Sequence, residues 1–137
     1  MGQYRISGKI YDDHNHPETI DLAKLNIDLE KAIAKNEHNI IITEGLLTLW
    51  DDNIYSKLDL KIFADCKADE RIVRRLKRNM QWGLTFDEIA DVYLDMVRYR
   101  HEEYVEPSKY RADIIYNGSN PTDVSLEVLT AYIKSKI

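Results

Sequence analysis

Short apolar runs and helix-spaced apolar positions alternate along this chain. Leu22, Leu25, Leu29 and Ile33 recur three and four residues apart, the spacing of a helix that lays one face on a core. His16-Pro17 reads as the entry to that helix, since proline at the first helical position loses only an N–H that has no partner there. The helix is expected to run to about Asn36, with the polar stretch 36–39 as connector. Ile40 to Thr43 is too short and too β-branched to be anything but a strand, and Glu44-Gly45 follows it directly. A short helix is expected over Asp52 to Leu58 and a second strand over Leu60 to Ala64, ended by Asp65. Helix follows from Ala68 to Gln81, with Gly83 as its terminator. Thr85 and Glu88 form a T-x-x-E capping box that opens a further helix toward Tyr104, closed by Pro107. Ala112 to Tyr116 is the third strand, Asn117-Gly118 its turn, and a last amphipathic helix carries Leu126, Leu129 and Ile133. Residues 1–15 are polar and irregular, with Ser7-Gly8 as a turn and room for a short strand on either side. Strands separated by helices predict an α/β fold, a parallel sheet flanked by helices.

Length and composition narrow the class without naming a function. The 137 residues are the size of one domain, and 44% hydrophobic with 31% charged residues is ordinary for a globular protein. A formal net charge of −5 argues against nucleic acid as a partner, because that footprint is a basic surface. Cys66 has no second cysteine to pair with, and no charged-then-apolar leader opens the chain. A reducing cytoplasm is therefore the expected location. No apolar run approaches the roughly 20 residues that span a bilayer, so no membrane partner is expected.

Three stretches could carry chemistry. Ser7-Gly8-Lys9 looks like the end of a phosphate loop, but that loop needs G-x-x-x-x-G-K-[ST]. Gly2 lies one residue too far from Gly8, and Ile10 stands where the hydroxyl is required. No other glycine pair fits. The second stretch is ADERIVRRLKRN, in which Arg71, Arg74, Arg75 and Arg78 sit at i, i+3, i+4 and i+7, on one helix face. Four guanidinium groups there could grip phosphate oxygens through charge-assisted hydrogen bonds. A solvated face pinned by local pairs such as Glu70 with Arg74 is the competing account. The third, DDHNHPETID, is rich in metal-capable side chains. His14 and His16 do not share a helical face, and no second His/Cys cluster exists to complete a zinc site. A substrate-contacting loop and a plain helix-entry loop both fit it. Cys66 is expected to pack quietly. Tyr93, Tyr99 and Tyr104, at helical spacing, fit core packing better than base stacking.

ITEGLLTL, then LDLKIFADCKADERIVRRLKRN, then HEEYVEPSKYRADII resemble, in this order, the second half of uridine kinases in the uridine kinase and phosphoribulokinase superfamily. The likeness runs from about His16 to Tyr116. It implies a P-loop-kinase-like α/β fold, incomplete at its N-terminus, with a helical arginine-bearing lid. Within a single domain, 1–137, residues 16–66 would be core, 67–105 the lid and following helix, and 106–137 the last strand and C-terminal helix. The implied activity is ATP-dependent phosphoryl transfer to a hydroxyl of a nucleoside or similar small molecule, with ATP and Mg²⁺ as cofactors. By the same resemblance Glu44 is catalytic and a Mg²⁺ ligand, directly or through water, and Arg75 and Arg78 are catalytic lid arginines. Asn15, His16 and Asp21 match the segment that binds the acceptor sugar, Asn15 replacing the family's aspartate. Asn117 and Asn120 fall in the loop near the adenine.

The departures from the family pattern are equally specific. The phosphate loop and the following catalytic aspartate region are missing, as is the hairpin that reads the uracil base. Trp82 and Leu84 replace lid arginines, and Val92 replaces a base-reading glutamine. The expectation is a fragment or truncated kinase that is inactive alone and forms a homo-oligomer or recruits a complementing N-terminal segment. The alternative is a degenerate family member acting as a non-catalytic binding or assembly module.

Overall fold

The computed structural model describes residues 2–3 and 7–137. The chain opens with a minimal antiparallel hairpin, β1 (Gly2–Gln3) against β2 (Ile10–Tyr11), and Gly8 takes φ +72° in the turn between them. The expected Ser7-Gly8 turn is therefore present, although residues 4–6 lie outside the described set. Side chains tie the hairpin to a distant helix: Lys9 Nζ sits 2.7 Å from Asp91, and the Tyr11 hydroxyl donates to Asp95 at 2.9 Å.

The first long helix starts later than the proline suggests. Pro17–Thr19 is a separate 3₁₀ turn, and Ile20 leaves helical geometry at φ −109° and ψ 129°. α1 (Leu22–Lys35) begins behind Asp21, whose carboxylate accepts the Lys24 N–H at 2.8 Å. Aspartate caps a helix far better than histidine, so the start moves to it. Asn36 ends α1 in the left-handed region at φ 50°.

Ile40–Thr43, expected as a strand, has no sheet partner among the described residues. A β-branched run sets local preference, but a strand exists only through a neighbour's backbone. The parallel sheet consists of β3 (Ile62–Asp65) and β4 (Ile114–Asn117), in register from Ile62 with Ile114 to Asp65 with Asn117. Between the two regions lies the short helix α2 (Asp52–Tyr55), capped by Asp51.

α3 (Ala68–Gln81) has the boundaries its spacing predicts, and Gly83 follows at φ +88°, a conformation that suits glycine. α4 (Phe86–Val92) opens on the expected capping box: Glu88 accepts the Thr85 N–H at 2.7 Å, and Thr85 Oγ1 accepts the Glu88 N–H at 3.3 Å. Helix then continues through a π-helical stretch, Tyr93–Val97, a short α5 (Arg98–Arg100) and a second π-helical stretch, His101–Val105. The α- and π-helical run ends at Val105, just before Pro107, and the chain tightens there. The proline sits in the first turn of a 3₁₀ segment, Glu106–Arg111, where its missing N–H is tolerated. The last helix, α6 (Asp123–Lys134), is capped by Thr122, whose hydroxyl accepts the Ser125 N–H.

Leu47, Leu49, Phe63 and Val105 form the central buried cluster, with Ile20, Leu22, Leu58 and Tyr104 packed on it. The core thus joins the loop after Gly45, strand β3 and the second π-helical stretch. That junction places three segments around one concave surface beside the end of β3.

Candidate functional site

α3 presents its four arginines to a cleft of about 430 Å³. Tyr93, Val97, His101 and Val105 line it from the following helical segment, Asn15 and Leu46 from two loops, and Cys66 from the residue after β3. None of these described lining residues is a carboxylate, so the local charge is positive although the chain is acidic overall.

The four arginines divide by what they already hold. Arg71 donates to the Cys66 carbonyl at 2.7 Å, and Arg74 donates to the Gly118 carbonyl at 3.0 Å and to Glu70 at 3.4 Å. The local Glu70 pair foreseen from spacing is present, and these two arginines also tie α3 to the strand ends. Arg78 donates from Nε to Asn79 Oδ1 at 3.2 Å, and its guanidinium lies 5.4 Å from the Trp82 ring centre. Arg75 differs: its Nε is buried and has no hydrogen-bond partner. Burial, then the positive charge of Arg78, hold the Arg75 guanidinium below its ordinary value, against a smaller opposing effect of Tyr93. A buried N–H left without an acceptor is costly, and an incoming anionic oxygen would relieve that cost.

A second constellation positions Asn15. Asp13 is buried, and its carboxylate accepts the N–H groups of Asn15 at 3.0 Å and His16 at 3.1 Å, and Arg100 Nε at 2.8 Å. The His16 ring accepts the Glu18 N–H on Nδ1, which leaves the hydrogen on Nε2 to donate to the Tyr104 hydroxyl at 3.0 Å. Tyr104 also meets His16 and Trp50 edge to face, at 5.1 and 5.8 Å between ring centres. One aromatic wall therefore fixes the loop whose tip, Asn15, reaches the cleft.

Of the residues singled out from the sequence, the structure brings Asn15, Arg75 and Arg78 together in the cleft. His16 stands behind it against Tyr104, and Asp21 is exposed and caps α1. Glu44 is exposed and does not line the cleft, although Leu46 two residues on does. Asn117 accepts the N–H groups of Ser119 and Asn120, both at 3.1 Å, so it shapes its own loop, and Asn120 is exposed. That loop touches the cleft through the Arg74 bond to Gly118. Cys66 is half-buried, with Glu70 at 3.6 Å and Ser119 at 3.7 Å, in keeping with a packing role. Asp13, Arg100 and His101 were not anticipated. The i, i+3 spacing of Arg100 and Glu103, which pair at 2.8 Å, was a legible signal, but the Asp13 to Arg100 contact spans 87 residues and left none.

The residues present fit a phosphorylated ligand in part. The unpartnered Arg75 Nε and the carboxylate-free lining suit phosphate oxygens. No group of three or more His, Cys, Asp or Glu side chains among the described residues is arranged to hold a metal ion. Glu44, the carboxylate expected to hold Mg²⁺, is exposed and lies outside the cleft lining. The phosphate-loop sequence that supplies backbone N–H groups is not found within these 137 residues.

Parallel strands whose ends meet an arginine-faced helix around a cationic cleft define an α/β protein. The model of the phosphoribulokinase / uridine kinase family matches residues 4–125, and the chain belongs to that family. It is similar to a uridine kinase of Macrococcus caseolyticus, 34% identical over 128 residues, which are 93% of this chain and 57% of that protein. A uridine kinase of Clostridium botulinum is 41% identical over 106 residues, 77% of this chain and 52% of that protein. One of Bacillus mycoides is 37% identical over 105 residues, 76% of this chain and 50% of that protein. The chain spans about half the length of the curated relatives it matches. No helix among the described residues is long and apolar enough to cross a membrane.

Proposed function

We propose that this chain forms the acceptor and lid side of an ATP-dependent phosphotransferase acting on a hydroxyl of a nucleoside or a similar small molecule. The observation that carries the reading is Arg75: a half-buried side chain whose Nε is buried and unpartnered, beside Arg78, in a cleft with no carboxylate among its described lining residues. Membership in a family whose relatives include uridine kinases supports it.

In this reading ATP bound with Mg²⁺ supplies the phosphoryl group. Arg75 and Arg78 donate hydrogen bonds to its oxygens and stabilise charge that spreads as the group transfers. Asn15, held by Asp13, offers an amide to the acceptor hydroxyls and orients one of them toward the arginines. Glu44 would be the carboxylate that holds Mg²⁺, which would neutralise phosphate charge when bound, and the Asn117 to Asn120 loop would flank the base.

Backbone N–H groups of a phosphate loop provide much of the stabilisation in such enzymes, and the 137 residues contain none. The same reading therefore has this chain inactive by itself. Titrating Mg²⁺·ATP calorimetrically into the chain is expected to give no binding tighter than millimolar. Micromolar binding would show that the nucleotide site is complete here. A protein carrying this chain together with a phosphate loop is expected to transfer the γ-phosphoryl group to a nucleoside or small polyol in a radiolabel screen. Transfer to no acceptor favours the second reading, a non-catalytic binding or assembly module, which the missing phosphate loop motivates.

A further inference from the structure

His101 stands at the back of the arginine cleft with only 18% of its side chain exposed. It opens the second π-helical stretch, and such turns recur at functional positions because the extra residue re-aims a side chain. Its Nε2 lies 3.2 Å from Glu106 Oε2. A carboxylate can only accept, so Nε2 carries the hydrogen and the neutral ring leaves its lone pair on Nδ1. Behind Glu106 the charges continue. Lys109 Nζ lies 3.7 Å from Glu106 and 2.5 Å from Asp65, at the end of β3. One edge of the ring is therefore anchored to a string of paired charges, and the ring also borders the cleft.

The groups around this imidazole come from three elements. Arg71 on α3 opposes its protonation, while Glu106 and Glu102 favour it. Arg74, Arg75, Arg78, Cys66 and Tyr93 share the cleft with it.

We propose that His101 is a conditional fifth cation of this cleft: it takes up one proton from solvent when a phosphoryl-sized dianion binds beside the arginines, and Nδ1–H then donates to that anion. The proposal rests on the reading of the cleft as an anion site. Without an anion, burial and the Arg71 charge hold the imidazole below its ordinary value, outweighing Glu106 and Glu102. A bound dianion offsets the arginine charge and attracts a proton. The change at Nδ1 is from a lone pair that repels an anionic oxygen to a donor that binds it. Linkage is reciprocal, so the proton must strengthen dianion binding by the factor by which the dianion strengthens proton binding. Affinity is then greatest at low pH and falls as pH rises through the histidine titration.

Sulfate tests this, because it stays a dianion across about pH 5.5 to 8.5, the window that brackets histidine titration. Calorimetric titration of the full chain is expected to show affinity falling about tenfold across that window, the factor for a midpoint moved by about one unit. His101→Gln is expected to flatten the dependence. Binding that does not vary with pH, or a dependence that survives in His101→Gln, overturns the proposal. No sulfate binding at any pH overturns the anion reading of the cleft as well. NMR titration of the unsubstituted chain is independent of any variant's folding: saturating sulfate should move the His101 midpoint upward, and an unmoved midpoint overturns the proposal. Displacement of sulfate by ATP, or instead by ribose 5-phosphate, distinguishes a nucleotide tail from a phosphorylated acceptor as the source of the dianion. Displacement by neither overturns its phosphoryl identity.

Discussion

Two side chains make opposite contributions to the folded state. The Asp13 side chain is 1% exposed and its Arg100 partner 12%, and the carboxylate also accepts two backbone N–H groups. Burial pushes the Asp13 carboxyl up, but the Asn15 N–H, Arg100 and the His16 N–H together outweigh it and hold the carboxyl below its usual range. A carboxyl depressed in the folded state contributes stability that is complete above its ordinary value of 3.8 and is lost as pH falls through the lower folded value. Removing one partner strands a buried charge, so Asp13→Ala should cost about 3 kcal/mol at neutral pH. Urea unfolding of both proteins at neutral and strongly acidic pH checks this, and the difference between them should shrink in acid. Arg75 works the other way. Its unpartnered Nε is a liability in the ligand-free fold, so Arg75→Met should leave stability unchanged or raise it by about 1 kcal/mol. Sulfate affinity should fall at least about tenfold in the same variant, the pattern of a residue kept for binding at the expense of stability. A stability loss with unchanged affinity would make Arg75 structural.

The elements show where sequence periodicity suffices and where it cannot. α3, expected from about Ala68 to Gln81, and the Thr85 capping box were legible because their signals are local: a glycine terminator, and a cap with its reciprocal glutamate. The arginine face was legible for the same reason, through the i, i+3, i+4, i+7 spacing. The two π-helical stretches, which bury Met96 and Val105, were not, since one extra residue per turn leaves no mark on composition. Nor could spacing say that Arg71 and Arg74 would reach backbone carbonyls at the strand ends, which depends on where β4 delivers Gly118. That junction is tight. The Gly118 N–H donates to the Asp65 carbonyl at 2.6 Å, and a Cβ on Gly118 would lie 2.9 Å from the same oxygen. Backbone cannot yield as a flexible side chain does, so Gly118→Ala should cost about 1–3 kcal/mol and displace the Arg74 contact. Thermal unfolding gives the first quantity. Weakened sulfate binding in the same variant would show that the strand-end turn also positions the arginine helix.

At the scale of the whole molecule, the chain carries more exposed apolar surface at strand-like positions than its small sheet explains. Ile40 and Ile41 are 41% and 39% exposed, and Ile42 is 84% exposed. These consecutive β-branched residues have no sheet pairing among the described residues, while Ile115 on β4 is 52% exposed. The sequence marked Ile40–Thr43 as a strand because β-branched residues favour pleated pairing, and its structure keeps the apolar surface without the ladder. Backbone groups and side chains in that condition are a template for pairing with another strand. Hydrophobic burial would drive such pairing, at about 25 cal/mol for each Å² removed from water. Sedimentation velocity over a concentration series should therefore detect self-association of this chain. Ile42→Lys places a charge where pairing would bury it and should shift the distribution toward monomer, leaving the arginine cleft and its sulfate affinity unchanged. A chain that stays monomeric at high concentration would overturn the self-pairing reading of Ile40–Thr43.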